Sequence, residues 1–290
     1  MNTVLSFGEV LWDAFGDGKR AGGAPMNVAL NLAKQGANVL FASRVGADAS
    51  GIELLDYLKQ NGLYSDLIQQ DEVLPTCEVT VQLDEQQQAT YVIPQPVSWD
   101  NIQTTEVLSL AAKNAAAIVF GSLACRTDVA RNTLLNLLEG TAALKVFDVN
   151  LRAPHYSVET IELLASKADF IKMNDEEAEL LVPEGDSLTE KIEVFSNKYP
   201  AQTICVTRGA HGAIVWHKGA FYEHPGFAVN VVDTVGAGDS FLATFINGLT
   251  NNWPTPQILE KACAVGAYVA GKRGANPEYD EEIMKTLKYE

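Results

Sequence analysis

Residues 231–241 read V-V-D-T-V-G-A-G-D-S-F: an apolar lead-in, three nearly featureless residues at Gly236, Ala237 and Gly238, then a carboxylate at Asp239 on the edge of a helical pattern. Small residues leave backbone N–H groups uncovered, and a helix beginning there adds its own unpaired N–H groups and the positive end of its dipole. Such a turn is an anion cradle. A carboxylate in its first turn is held beside the anion, where it can accept a proton from an attacking hydroxyl. Phosphoryl transfer needs both features, because its loose transition state leaves catalysis mostly to positioning and charge stabilisation. Taken alone, the stretch also fits a tight turn with an acidic helix start, so the rest of the chain must decide.

Working outward, short apolar runs alternate with helical-length segments: V-L-S-F at 4–7, N-V-L-F-A-S at 38–43, A-I-V-F-G at 117–121, K-V-F-D-V at 145–149, D-F-I-K-M at 169–173 and T-I-C-V-T at 203–207. Between them lie amphipathic stretches such as P-M-N-V-A-L-N-L-A-K-Q-G and S-G-I-E-L-L-D-Y-L-K-Q-N-G. The alternation predicts an α/β fold, a central and mostly parallel sheet with helices on both faces. Pro25 suits the first turn of a helix and Gly36 its end, which puts the residues before Pro25 in a loop at a strand's C-terminal side, where open α/β sheets bind ligands. One region breaks the rhythm: C-E-V-T-V-Q-L-D-E at 77–85 and A-T-Y-V-I at 89–93 alternate as two strands joined across D-E-Q-Q-Q, closed by Pro94 and Pro96. They predict a small sheet projecting as a lid. After Asp239 the helical pattern resumes through S-F-L-A-T-F-I-N-G-L, a second long helix follows to about Gly271, and E-Y-D-E-E-I-M-K-T-L-K-Y-E is expected as a surface helix.

With 290 residues, 47% of them hydrophobic, the chain can bury a core of one large domain with a small appendage. A net charge of −16 argues against a broad nucleic-acid or anionic-membrane footprint. The start of the sequence lacks a basic stretch followed by a long apolar core, and no run approaches a membrane span, so the chain is expected in the cytoplasm. Cys77, Cys125, Cys205 and Cys263 lie far apart, as do His155, His211, His217 and His224, which makes buried thiols more fitting than a metal cluster.

Three competing motifs fail on detail. G-A-Y-V-A-G-K-R at 266–273 resembles a P-loop, but Arg273 stands where Ser or Thr should bind Mg²⁺. G-D-G-K-R-A at 16–21 mimics a dinucleotide turn without a clean strand before it or the acidic residue after it. G-D-S at 238–240 lacks the downstream His that a serine hydrolase of that arrangement needs, since the last His is 224.

D-T-V-G-A-G-D at 233–239, together with G-G-A-P-M-N-V-A at 22–29, resembles the ribokinase-like (PfkB) carbohydrate kinases, and the likeness runs from G-E-V-L-W-D at 8–13 to G-K-R-G-A-N at 271–276. It implies one ribokinase-like kinase domain over 1–290, with a β lid formed mainly by 10–22 and 76–100. By position it implies Asp239 as catalytic base, Gly236, Ala237 and Gly238 as anion hole, and Asp13, Gly23 and Asn27 on the sugar hydroxyls. N-D-E-E at 174–177 fits the family's N-x-x-E motif, with Asn174 and Glu177 reaching Mg²⁺ and phosphates through water, although acidic residues also simply favour a helix start. T-R-G-A-H-G at 207–212 resembles the nucleotide-binding turn through Thr207, Gly209 and Gly212, and a plain hairpin turn is the other reading. Ala262, Gly266, Gly274 and Asn276 are expected to shape the adenine pocket. Asp233 and Val235 match a loop that in many relatives binds a monovalent cation, K⁺ being the candidate. The implied cofactors are thus ATP and Mg²⁺.

The family's acceptors include ribose, fructose, 2-keto-3-deoxygluconate, nucleosides and sugar phosphates, so the pocket must decide. G-G-A-P-M-N and Y-V-I-P-Q-P-V-S-W-D at 91–100 look like fructokinases. D-V-N-L-R at 148–152 resembles a stretch of both fructokinases and ketodeoxygluconate kinases, which leaves Arg152 either as a carboxylate clamp, as a partner for a neutral sugar or phosphate group, or as a surface or structural Arg before Pro154. A non-catalytic sugar-binding regulator would be marked by loss of Asp239 or of the small-residue turn, and both are present. Exposed strand edges in the lid invite a homodimer.

Overall fold

β1 (Thr3–Phe7) lies inside the main sheet with Val4 through Phe7 all buried. The chain then leaves that sheet for an antiparallel pair, β2 (Leu11–Phe15) and β3 (Gly18–Gly22), and returns through α1 (Ala24–Lys34). Pro25 occupies the first turn of α1 as expected, and Gly36, at φ +80°, follows its end. β4 (Asn38–Gly46), α2 (Ala49–Gln60) and β5 (Ile68–Asp71) come next, and β6 (Glu78–Leu83) with β7 (Ala89–Val92) completes a small second sheet. Its order is β3-β2-β6-β7. The computed structural model describes residues 2–15, 18–63, 66–83 and 89–288, so the D-E-Q-Q-Q junction lies outside the described residues.

The remaining chain builds the sheet outward: α3 (Glu106–Asn114), β8 (Ala117–Gly121), α4 (Asp128–Glu139), β9 (Leu144–Asp148), α5 (Val158–Ala165), β10 (Phe170–Asn174), α6 (Asp175–Leu181), α7 (Leu188–Lys198) and β11 (Thr203–Thr207). An antiparallel hairpin, β12 (Ala213–His217) and β13 (Ala220–His224), forms one edge, and α8 (Ala237–Thr250), α9 (Thr255–Ala270) and the short α10 (Glu281–Thr286) finish the chain. The order is β13-β12-β11-β10-β9-β8-β1-β4-β5, and every pairing from β11 to β5 is parallel. This is the mixed α/β architecture with a mostly parallel sheet that the alternation predicts.

Strand periodicity divides the core. On β8, Ala117 and Val119 pack with residues of α1, α8 and α9, while Ile118 and Phe120 pack with residues of α3, α4, α5 and α7 on the other face. Helices therefore cover both sides, and a fully buried side chain such as Phe147 or Phe245 contributes about 1.5–3 kcal/mol relative to exposure. On the α8 face the same alternation carries polar residues to the C-terminal ends of β9 and β10: Val146 and Phe170 are followed there by Asp148 and by Lys172 and Asn174.

The second sheet ends at Val92, which corrects the lid boundary read from sequence. Residues 97–102 belong to the main body, where Val97, Trp99 and Ile102 are fully buried. The cause is a buried ion pair: Arg126 reaches Asp100 through Nε at 2.7 Å and Nη2 at 2.7 Å, donates to the Pro94 carbonyl at 2.6 Å, and stacks 4.1 Å from the Trp99 ring centroid. The four cysteines are all free and buried, and burial pushes every thiol well above its ordinary range. No described helix is long and apolar enough to cross a membrane.

Candidate active site

The G-A-G-D turn forms the N-terminus of α8. Gly236 is its N-cap at φ +79°, and a Cβ there would lie 2.5 Å from Ala275, so only glycine fits both the backbone and the space. Ser240 N–H bonds back to the Gly236 carbonyl at 2.9 Å, and the N–H groups of Gly238 and Asp239 precede the first such bond. They remain available to an anion.

Asp239 is positioned from across the fold. Asn27 on α1 donates from Nδ2 to Asp239 Oδ2 at 2.8 Å. Asn27 Oδ1 in turn accepts from Asn276 Nδ2 at 2.7 Å, Asn276 Oδ1 accepts from Asn31 Nδ2 at 3.1 Å, and Lys34 Nζ donates to the Asn276 carbonyl at 2.7 Å. Asn276, expected beside the adenine, spends its side-chain amide fixing which way Asn27 points. Enclosure at the cleft floor, reinforced by Asp148, pushes the Asp239 carboxyl up to about 6, against the opposing pull of Lys172, Asn27 and Arg152. An acceptor poised near neutrality is what a general base requires.

Beneath the turn sits a pair that sequence reading passed over. Asp148 and Lys172 are register partners on β9 and β10, both buried, with Nζ 3.0 Å from Oδ1. Lys172 Nζ lies 3.3 Å from where a Cβ of Gly238 would be. The smallness of Gly238 thus lets an ammonium approach the anion turn from below. Burial alone would lower the Lys172 pKa, and the carboxylates of Asp148, Glu177 and Asp239 outweigh it and hold the group charged. The available signal was a lone charge inside the otherwise apolar F-I-K-M.

Asn174 and Glu177 form a reciprocal capping box on α6: Asn174 Oδ1 accepts from Glu177 N at 2.7 Å, and Glu177 Oε2 from Asn174 N at 2.8 Å. Glu177 Oε1 also accepts from Leu151 N at 2.7 Å, tying the loop after β9 to this helix. Among the described residues no group of three His, Cys, Asp or Glu is arranged to hold a metal directly. With these oxygens engaged by backbone N–H groups, the pair suits contact with a hydrated Mg²⁺ through water, since Mg²⁺ keeps several of its waters.

Thr207 ends β11 in register with Asn174, so both stand at one sheet edge. Gly209 has open space where a side chain would be, which leaves room for a ligand over the turn. Gly212 and Gly266 answer packing instead: a Cβ on Gly212 would lie 2.0 Å from the His224 carbonyl, and one on Gly266 would lie 3.3 Å from the Ala237 carbonyl at the start of α8. Asp233 accepts from Val235 N at 3.0 Å and from Gly274 N at 3.1 Å, which joins the two loops expected around a monovalent cation.

At the opposite end, Asp13 on β2 faces Gly22, where a Cβ would stand 2.5 Å from Asp13 Oδ2, and a Cβ on Gly23 would meet the Glu9 carbonyl at 2.5 Å. Both glycines make room for the segment carrying Asp13. Burial raises the Asp13 carboxyl pKa, and Arg152 opposes it. Arg152 itself is exposed and donates from Nη1 to the Leu151 carbonyl at 2.9 Å. The structure thus gathers an anion cradle, a raised carboxylate, a buried ammonium and polar groups from the second sheet at one end of the main sheet.

The PfkB family carbohydrate kinase model matches residues 2–282. Fructokinase-2 of Oryza sativa subsp. japonica is 30% identical over 305 residues, covering 95% of this chain and 90% of that protein. An uncharacterized sugar kinase of Pyrococcus horikoshii superposes with a TM-score of 0.83 at 26% identity, over 99% of this chain and all of the other. A fructokinase with bound ATP from Xylella fastidiosa shares the fold at a TM-score of 0.86 and 23% identity, over 98% and 97% of the two chains. The chain belongs to the PfkB family of carbohydrate kinases.

Proposed function

We propose that this kinase transfers the γ-phosphoryl group of ATP to a terminal hydroxyl of fructose. The observation that carries the reading is Asp239: a half-buried carboxylate, raised toward neutrality, in the first turn of the helix whose N-terminal turn is an anion cradle, and aimed by Asn27. The fructokinase-named relative and the G-G-A-P-M-N and Y-V-I-P-Q-P segments support the acceptor.

In this reading Asp13, Gly23 and Asn27 hold sugar hydroxyls. Asp239 accepts the proton of the attacking hydroxyl as its oxygen bonds to the γ-phosphorus and the bond from that phosphorus to the β,γ-bridging oxygen breaks, with ADP leaving. The N–H groups that the G-A-G-D turn leaves available, those of Gly238 and Asp239, and the Lys172 ammonium take up the charge that develops on the transferred group. Thr207 and Gly209 stand where the nucleotide would lie. Asn174 and Glu177 would hold Mg²⁺ through water, and the metal would supply charge neutralisation on the phosphates. Asp233 and the Val235 loop would support K⁺. The second sheet would cover the sugar, excluding water and suppressing ATP hydrolysis, and its edges would serve a homodimer.

A 2-keto-3-deoxy sugar acid is the second acceptor reading, favoured by the exposed guanidinium of Arg152, which could grip a carboxylate bidentately. ADP release with Mg²⁺ATP across fructose, ribose, 2-keto-3-deoxygluconate and adenosine separates them, with Asp239→Asn as control. Fructose turnover that vanishes in the variant supports the first reading. Turnover with the sugar acid alone reassigns Arg152, and binding without any turnover removes the kinase acceptor reading.

A further inference from the structure

Glu9 sits where the chain leaves β1 for the second sheet, and the mechanism above gives it no role. It is 2% exposed, and its Oε2 is enclosed without a hydrogen-bond partner among the described residues. The groups that face it come from four elements: Asp148 at the end of β9, Arg152 in the loop after β9, Asp239 at the start of α8, and the buried Cys125 in the turn after β8. Asp148 also has an enclosed oxygen, Oδ2, without a partner, its other oxygen taking Lys172.

The cluster already carries an excess of negative charge without Glu9. Lys172 and Arg152 supply two cations, against the carboxylates of Asp148, Asp239 and, beside Lys172, Glu177. An ionised Glu9 would add a further buried charge with nothing to match it, and a carboxyl in such surroundings takes up a proton instead. We propose that Glu9 works as the neutral acid of the site, a positioning residue whose proton leaves Asp239 as the acceptor facing the substrate. The inference rests on the kinase reading only for its kinetic consequence. Burial pushes the Glu9 carboxyl up to about 7, with Asp148 and Asp239 adding to the rise and its own backbone N–H and Arg152 opposing it.

Ionisation of Glu9 would then set a fresh negative charge beside the base and beneath the path of the phosphoryl group. The neighbouring charge strengthens Asp239 as a proton acceptor but repels the anionic phosphoryl group, and the repulsion is the larger effect on transfer, so activity should fall on the alkaline side. The amide of Glu9→Gln copies the neutral acid in shape and lacks its titration. Glu9→Ala keeps neither shape nor hydrogen-bonding capacity.

The test has two arms on the full-length chain. Infrared titration should show a protonated-carboxyl stretch that persists in Asp239→Asn, disappears with a midpoint near about pH 7, and is missing in Glu9→Gln. In the kinetic arm, kcat/KM for fructose with Mg²⁺ATP in Glu9→Gln should stay within about threefold of the parent near neutrality and lose the alkaline decline, while Glu9→Ala falls by tenfold or more. A parent chain without the Glu9 band overturns the proposal, as does a folded Glu9→Gln whose pH profile matches the parent's. Should no sugar be phosphorylated, the acceptor reading has failed, and the infrared arm still decides the state of Glu9.

Discussion

Asn27 and Asp239 are 212 residues apart in sequence and 2.8 Å apart in the fold, joined by one hydrogen bond between α1 and α8. That bond makes the orientation of the proposed base depend on how two helices of one face pack. It also engages one hydrogen of the Asn27 amide and leaves the other for the proposed sugar contact.

Asp239→Asn keeps the shape and removes the proton acceptor. We expect kcat to fall about 10²–10⁴-fold with nucleotide binding retained. Steady-state kinetics beside calorimetric titration of ADP check this, and an active Asp239→Asn enzyme would remove Asp239 from the role of base.

Lys172→Met strips the ammonium from beneath Gly238 and leaves Asp148 buried without its partner. Stability should fall by about 3–5 kcal/mol. Adding Asp148→Asn removes the stranded charge, so the double variant should regain much of the stability but little of the activity. Recovery of both together would make the pair purely structural.

Gly236→Ala and Gly238→Ala should differ in kind. The first forces a Cβ to 2.5 Å from Ala275 at positive φ and should cost on the order of 1–3 kcal/mol in stability. The second meets only the flexible end of Lys172 at 3.3 Å, so the fold should survive while kcat drops. Thermal melts and turnover on the same two preparations settle it.

The pH dependence follows from the raised carboxyl of Asp239. Its unfolded pKa is near 3.8 and its folded pKa about 6, so the folded chain holds more protons in that window. The stability it contributes is fully present below about 4 and is lost as pH rises through about 6. Asp239→Asn should therefore gain on the parent by on the order of 1–2 kcal/mol between pH 4 and pH 7, after allowance for its partial exposure. Denaturant titrations at both pH values measure the difference. In the active enzyme kcat/KM should rise with pH through about 6, as the base becomes free.

Arg126→Ala should destabilise the chain by about 3–5 kcal/mol, because Asp100 would remain buried without its partner. Proteolysis should then cut first between residues 93 and 101, which Arg126 holds to the main body; cleavage elsewhere would assign that hold to other contacts.

The main sheet was legible because parallel strands buried on both faces leave continuous apolar runs, as A-I-V-F-G and T-I-C-V-T do. β5 reads I-Q-Q-D and β13 alternates exposed and half-buried residues, so both edge strands lack that signal. The G-A-G-D turn was readable because its chemistry is local to four residues. Lys172, Asp148 and Glu9 were not, since each looks like a stray charge until the register of β9 and β10, and the return of α8 over them, place the charges together. Asn276 was expected beside the adenine, and that its amide meets Asn27 and Asn31 is a tertiary fact that no local pattern records.

Because all four native thiols are enclosed, a cysteine placed on an exposed residue of the second sheet, such as Thr80 on β6, would be the one that a maleimide dye reaches readily. A single-substitution chain can therefore carry a fluorophore at a chosen point without first removing any native cysteine. Changes in the brightness or anisotropy of that dye on adding sugar and nucleotide would show in real time how the small sheet responds to them.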